Sequence, residues 1–414
     1  MATMAGFGAI KSALQNPNFR IFIAASSISN VGTWVQRVAT GWLAWELTHS
    51  GFWLGFVFFC DLFPMIFLSS IAGAVVDRVE PLRMLIVAQV LAMLQAFALA
   101  ALTLSGLMNI EILIGLSLAY GAIIAFNQPA RLTVVPMLVG RGDLSAAIGI
   151  NSLIFNVARF VGPALSAAII AWWGVAPAFG FNGLSYLVML FALTRLTVPS
   201  LRHGGPPKPV RELPREIVSG YRYVIRHPGI GPLLALQIIV SICARPYIDM
   251  FAGFADEVFG RGVEAFGWLN SATGAGAMIG GMWLAGRGRL SGLTAISVAS
   301  ALVFAVSLVG FASTENIWVA LVATSVGGFA MVISGVAQQT LIQAAVDTAM
   351  RGRVVGLFGM IVRGGPAIGT LAMGAATHYV GFRWPVAFGG VVCLIVWLWA
   401  RPRERRIAEF VEKE

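Results

Sequence analysis

The chain has 414 residues, of which 58% are hydrophobic and only 11% charged, against roughly 25% charged in an ordinary soluble domain. A water-exposed surface cannot be covered by so few polar groups, and the apolar residues are spread too evenly for a single anchoring helix, so the composition dictates a polytopic membrane protein. The net charge of +10 does not point to nucleic acid, because the basic residues cluster between apolar runs and no nucleic-acid-binding motif is present. Cys60, Cys243 and Cys393 lie far apart in apolar runs, and His49, His203, His227 and His378 form no H-x-x-x-H pair, which excludes a disulfide scaffold and a zinc site.

A bilayer core of about 30 Å needs roughly 20 apolar residues as a helix. Twelve such runs are predicted, at 21–47, 52–75, 83–105, 111–130, 144–171, 177–196, 230–254, 263–286, 292–313, 316–345, 350–378 and 383–400. The start of the chain lacks a basic segment followed by a short apolar core and a cleavage site, so the first run is expected to be retained. The organisation follows: an N-terminal six-helix bundle (1–196), a linker (197–229), a second six-helix bundle (230–400) and a tail (401–414). The linker holds PPKP and then RELPREIVSGYRYVIRH, in which Ile217, Val218, Tyr221, Val224 and Ile225 share a face flanked by Arg215, Arg222 and Arg226. That pattern suits an amphipathic helix lying on the inner leaflet or packed on the base of the protein itself.

Most of the 28 lysines and arginines fall in the termini, the linker and alternate connections, whereas the opposite connections hold only Arg261 and Arg383. The positive-inside rule therefore places both termini and the linker in the cytoplasm. Arg37, Arg131, Arg159, Arg245 and Arg363 lie in or at the edges of spans, where their cost marks them for function.

The halves repeat. NVARFVGPALSAA followed by WWGVAPAF in the first half matches MIVRGGPAIGTLA followed by VGFRWPVAF in the second, each placing an Arg shortly before a Gly-Pro pair (Gly162 and Pro163; Gly365 and Pro366). Two related six-helix bundles are expected of a transporter with its site between repeats. After the second span, GAVVDRVEPLR sets Gly73, Asp77 and Arg78 at the spacing G-x-x-x-D-R, with Arg83 following. This resembles the signature loop of the major facilitator superfamily, although Glu80, Pro81 and Leu82 depart from its pattern. The resemblance implies a conformational latch, with Asp77 at the positive N-terminus of span eleven and Arg78 and Arg83 near carboxylates such as Asp347. In span five, Gly149, Ala158, Gly162, Pro163, Ser166 and Ala167 fit G-x8-G-x3-G-P-x2-G-G with small residues for several glycines, which resembles the motif of exporters in that superfamily and permits a helix bend. Together with NPNFRIFIAASSISNVGTWVQRVATGWLAWELTHS, the PAR of span four and RFVGP, these segments are similar to the transmembrane secretion effector branch, which holds siderophore, macrolide and multidrug exporters.

Asp61 and Asp249 are the acids deep in apolar runs. A carboxylate without a partner at that depth would rather hold a proton, which is the chemistry of proton coupling. Arg245, one turn before Asp249, offers the competing reading of a permanently charged pair. If Arg37, Arg159, Arg245 and Arg363 face a cavity, its excess positive charge favours an anionic cargo; the competing reading ties Arg159 and Arg363 to carbonyls freed by the Gly-Pro pairs. Asn30, Gln36, Gln237, Gln338 and Gln339 are candidates to orient a substrate, with Trp34 and Tyr247 as stacking surfaces, or else they join helices.

The sequence thus predicts an all-α protein of twelve transmembrane helices in the major facilitator fold, exporting an amphipathic small molecule in exchange for protons, a siderophore-like or other anionic metabolite first and a drug second. The bilayer and the substrate are its expected partners, the proton gradient stands in place of a cofactor, and a bacterial inner membrane is its expected location. Uptake by the same fold and a non-transporting scaffold or sensor are the alternatives. Direct ATP coupling is not expected, since no G-x-x-x-x-G-K-[ST] loop is present, nor is enzymatic activity, since no nucleophile has a positioned base.

Overall fold

The structure, a computed structural model, describes residues 12–76, 79–197, 213–287, 289–347 and 350–412. Among them every regular element is helical. The long segments follow the expected order: Pro17–Thr48, Gly51–Val76, Pro81–Leu104, Ile110–Met137, Leu144–Trp173 and Val175–Arg195, then span seven from Ile230, then Gly262–Arg287, Leu293–Ser313, Ile317–Ala345, Arg351–Val380 and Arg383–Ala400. Ten of the described segments are long and apolar enough to cross a membrane. The first and eighth helices fall outside those ten because they are rich in polar and small residues. In the first, Ser26, Ser29, Asn30 and Gln36 are all buried, so the polar face that lowers its hydropathy is turned inward.

Lipid supplies little apolar driving force between helices, so close approach of backbones and internal hydrogen bonds must hold them. Large apolar side chains such as Leu94, Phe191, Val306 and Val322 are therefore more than half exposed, the reverse of a soluble protein. At the helix ends Trp172, Trp173, Trp384 and Tyr379 are still more exposed, as in the aromatic belts of membrane interfaces. The helix caps are local in origin. Asn109 Oδ1 accepts the backbone N–H of Ile112 at 2.9 Å, and Asn316 Oδ1 that of Trp318 at 2.9 Å, satisfying orphan donors of spans four and ten.

The repeat is visible in the backbone. Spans five and eleven, Leu144–Trp173 and Arg351–Val380, are each 30 residues long with one internal Gly-Pro pair. Each ends on a glycine of the same unusual conformation, Gly174 (φ 82°, ψ −179°) and Gly381 (φ 71°, ψ 178°), accessible to glycine and strained for any other residue.

Packing divides the chain into two units, Met1–Leu43 with Phe63–Lys208 and Ala44–Leu62 with Pro209–Glu414. The halves of the sequence and the units of packing thus differ at Ala44–Leu62, the end of span one and the first part of span two, which packs with the second unit. In the first unit Phe19, Phe22, Leu85, Val134, Met189 and Leu193 form the main buried cluster. In the second, Leu233, Leu341, Val354, Ile407 and Val411 do so. The linker helix, Leu213–Arg226, belongs to this second cluster through Val224 and lies with Gly220 against Arg353, where an added Cβ would stand 3.1 Å from Arg353 Cβ. A tail helix, Glu404–Val411, buries Ile407 and Val411 in the same cluster. Just beyond it, Glu412 accepts the N–H groups of Gly292 and Thr294, both at 2.7 Å. One carboxylate thus caps the start of span nine, where two orphan donors and the positive helix end coincide.

Candidate functional site

In the N-terminal unit the polar residues of span one form a buried ladder. Gln36 Nε2 donates to Gln95 Oε1 at 2.9 Å, and Asn182 Nδ2 donates to Gln36 Oε1 at 2.7 Å. Ser185 donates to Asn182, and Gln95 Nε2 reaches the Leu116 carbonyl at 3.2 Å. Spans one, three, four and six are thereby joined through neutral amides. Asn30, also buried, donates to the Ser26 carbonyl of its own helix at 2.8 Å.

Span five packs on span one through its small-residue motif. A Cβ on Gly162 would stand 2.5 Å from Trp34 Cβ, and the Ser166 hydroxyl donates to the Val35 carbonyl at 3.0 Å. Arg159 sits with its guanidinium 5.7 Å from the Trp34 ring centre, a cation–π arrangement. Gly149 has nothing within 4 Å of an added Cβ, so the first glycine of the motif makes no close contact. Arg37 is half-buried. Arg131 donates to Asn151 Oδ1 at 3.0 Å and lies over the Phe22 ring.

The C-terminal unit repeats the contact with different chemistry. Span seven is not one helix. Ile230–Cys243 is α-helical, Arg245–Met250 is a 3-10 segment opened by Pro246, and Phe254–Val258 is a π turn, irregularities that concentrate at functional sites. The break admits span eleven. A Cβ on Gly365 would stand 2.7 Å from Ser241 Cβ, and one on Gly369 would collide with the Ile242 carbonyl and Pro246.

At this crossing Pro366, lacking an N–H, leaves the Val362 carbonyl without its helical donor. Arg245 Nη1 donates to that oxygen at 2.6 Å. The freed carbonyl of span eleven is thus taken by Arg245, which the sequence had not singled out for it, whereas Arg363, on span eleven itself, is exposed. Asp249, 7% exposed, accepts from the Thr370 hydroxyl at 2.9 Å, and the same hydroxyl lies 2.7 Å from the Pro366 carbonyl. Asp61 is half-buried.

The other candidates in this unit are dispersed. Gln237 donates to Ser241 at 3.0 Å; Gln338, fully buried, donates to Ser297 and Ser334, each at 3.0 Å. Gln339 is exposed. Tyr247 is fully buried among Phe251, Phe304 and Phe311, with ring centres 5.1 to 5.9 Å apart; it packs the core and offers no open stacking face. Of the expected latch, Asp77 and Arg78 lie outside the described residues, and Gly73 falls in the last turns of the helix Gly51–Val76. Arg83 pairs with Glu80 at 2.7 Å in its own turn, and Asp347 accepts from Tyr223 at 3.1 Å. Burial, together with Asp347, pushes the Tyr223 phenol above its usual range.

Three features escaped the sequence reading. Thr370 is a partner of Asp249. Gly55 and Gly374 bring the start of span two against span eleven, with an added Cβ on Gly55 only 2.5 Å from the Thr370 carbonyl. Trp45, buried, donates from its indole to Asp256 in the π turn at 2.9 Å. The glycine contacts had a signal: Gly51 and Gly55, Gly276 and Gly280, and Gly365 and Gly369 are each spaced G-x-x-x-G, the pattern of closely packed membrane helices.

A family model described as transmembrane secretion effector matches residues 9–406. The chain belongs to this family, within the major facilitator superfamily. As a member it is a multi-pass membrane transporter and not an enzyme. Over 363 residues it is 22% identical to the staphyloferrin A transporter of Staphylococcus aureus, covering 87% of this chain and 90% of that one. To the enterobactin exporter of Escherichia coli it is 25% identical over 366 residues, covering 87% and 85%. Solved structures share the fold: a bacterial homologue of the lysosomal transporter Spinster (TM-score 0.73, 13% identity, 96% of this chain and 99% of that one) and a D-xylose–proton symporter (TM-score 0.73, 13% identity, 92% and 96%).

Proposed function

We propose that this transporter exports an amphipathic, anionic small molecule of the siderophore class across the bacterial inner membrane, by alternating access, in exchange for protons carried by Asp249. Both termini and the linker face the cytoplasm in this reading, as the distribution of Lys and Arg favours. The relatives named for staphyloferrin A and enterobactin support the cargo class, and the second supports the outward direction.

The observation that carries the proton assignment is the bond between Asp249 and Thr370 at the break in span seven. Thr370 has one hydroxyl proton and two acceptors within reach, Asp249 Oδ2 and the Pro366 carbonyl. When Asp249 is ionised the hydroxyl donates to it. When Asp249 takes a proton, its own O–H donates to Thr370 Oγ1 and the hydroxyl turns to the Pro366 carbonyl. The bond between Asp249 and Thr370 is thus kept in both protonation states, which favours reversible loading at this depth. Because the Thr370 backbone also meets Gly55, the switch adjoins the seam on which the start of span two packs.

Substrate-driven proton flux in proteoliposomes tests the proposal, with Asp249→Asn and Asp61→Asn measured across anionic siderophores and cationic dyes. The expected result is loss of proton movement in Asp249→Asn with substrate binding retained, retained flux in Asp61→Asn, and preference for the anions. Undiminished coupling in Asp249→Asn overturns the proton assignment, and preference for the dyes overturns the cargo class. The sign of the proton flux relative to the cargo separates export by exchange from uptake by symport.

A further inference from the structure

The linker helix has a surface that the transport cycle proposed above does not use. Its inner side is committed, with Val224 buried at 7% exposure, Arg353 donating to Ser219 at 3.0 Å, and Tyr223 donating to Asp347. Its outer side is not. Arg222 and Arg226, one helical turn apart, are exposed, and among the described residues neither guanidinium has a hydrogen-bond or ion-pair partner. They border a cleft of about 640 Å³ whose wall also includes Ser219, Tyr223, His227 and Met350. Beside them Tyr221 and Ile225, again one turn apart, are 60% and 64% exposed.

The charges around the cleft favour an anion. Asp347, in contact with the wall residue Tyr223, is engaged by the Tyr223 hydroxyl and by no described arginine. His227 accepts the N–H groups of Gly229 and Ile230 through Nδ1, at 3.2 and 3.1 Å, so its remaining ring nitrogen, Nε2, carries the hydrogen and can donate. Two forked guanidinium groups on one wall suit the tetrahedral oxygens of a phosphate.

The depth and the neighbours decide the source of that phosphate. Arg226 stands one turn before Ile230, where span seven begins, which is headgroup level for a helix entering the bilayer. Tyr221 and Ile225 give a dissolved anion nothing, whereas an acyl chain covers them. Apolar residues alternating with arginines along one exposed strip are the signature of a helix held at a leaflet surface.

We infer that the cleft between the linker helix and the start of span eleven is a binding site for the phosphate headgroup of an anionic phospholipid, held by Arg222 and Arg226 with its acyl chain over Tyr221 and Ile225. The site fixes the linker helix to the membrane at the point where it enters span seven.

Native mass spectrometry of the purified full-length protein, with phosphatidylglycerol or phosphatidylcholine added to the detergent, tests this. Wild type retains phosphatidylglycerol in preference. The Arg222→Gln, Arg226→Gln double variant loses about thirtyfold in that retention, at roughly fivefold for each basic residue beside an anionic surface, while the Lys double variant keeps most of it. Either single Gln variant shows about a fivefold loss, which keeps the test valid if the double variant fails to fold. Tyr221→Ser combined with Ile225→Ser weakens lipid retention as well, and millimolar inorganic phosphate does not displace the lipid from wild type. Equal retention of phosphatidylglycerol by wild type and the Gln variants overturns the site. Displacement by inorganic phosphate, with the Ser variant unaffected, overturns the lipid assignment in favour of a soluble anion. Proton flux is not read in these experiments, so their failure leaves the Asp249 proposal standing, and the converse.

Discussion

The crossing of spans five and one and the crossing of spans eleven and seven are built from the same repeated sequence and do different work. In each, a Gly-Pro pair in a 30-residue helix lets it approach the opening helix of its half. In the N-terminal unit the partner helix runs unbroken, Arg159 stacks on Trp34, and the buried polar groups are neutral amides. In the C-terminal unit the partner helix breaks at Pro246, and the break delivers a cation to the carbonyl freed by Pro366 and a carboxylate to Thr370. The contrast shows a duplicated scaffold becoming asymmetric through a few substitutions in the partner helix. One copy is braced through buried neutral amides, the other through an arginine and a buried carboxylate.

The sharpest way to break this comparison is at the glycines. Gly369→Ala places a Cβ against the backbone of Ile242, which has nowhere to move, and is expected to cost ~3 kcal/mol or more. Gly149→Ala, in the span-five motif but facing open space, is expected to be neutral or to stabilise by up to ~1 kcal/mol through helix propensity. Thermal unfolding in detergent reads both, and equal effects would show that the motif glycines serve something other than close approach.

Next in size is the amide ladder. Gln36→Leu strands the Asn182 donor and the Gln95 acceptor in a buried site, at an expected cost of ~2–3 kcal/mol. No effect on proton coupling is expected beyond that loss of stability, which flux normalised to folded protein measures.

Arg245→Gln should cost ~2 kcal/mol, because a half-buried carbonyl that Pro366 leaves without its helical donor loses a charge-assisted one. Arg363→Gln, at an exposed position, should fall within about 0.5 kcal/mol of wild type. A larger effect of Arg363→Gln on stability would reverse the assignment of which arginine braces span eleven.

The smallest effect belongs to the tail. Glu412→Gln keeps the shape of the cap on Gly292 and Thr294 but removes its charge, with an expected loss of ~1 kcal/mol. Hydrogen exchange at the start of span nine should rise in this variant and leave the N-terminal unit unchanged.

The helices themselves were legible in the sequence. Backbone groups in lipid must be satisfied within a segment, so composition and length suffice to mark spans, and the Gly-Pro repeat marked the corresponding helices of the two halves. The seams were half-legible. G-x-x-x-G spacing was present at Gly51, Gly276 and Gly365, but spacing does not name the opposing helix. Polar residues within spans were legible as exceptional and not as to role. Gln36 and Gln338 read equally as cavity groups or as joints between helices, and Tyr247 as a stacking surface; the structure commits the glutamines to hydrogen bonds within their units and Tyr247 to an aromatic core.

What the sequence determined by itself is the class of the protein, its spans and the short catalogue of charges within them, which follow from the cost of placing a residue type in hydrocarbon, and its repeat, which follows from matched segments of the two halves. What only the tertiary structure decided is which charge meets which partner. Arg245 lies far along the chain from Val362, and Asp249 from Thr370. Those pairings exist because Pro246 bends one helix and Gly365 and Gly369 let the other come close, and such contacts depend on two backbones meeting in space rather than on any local pattern.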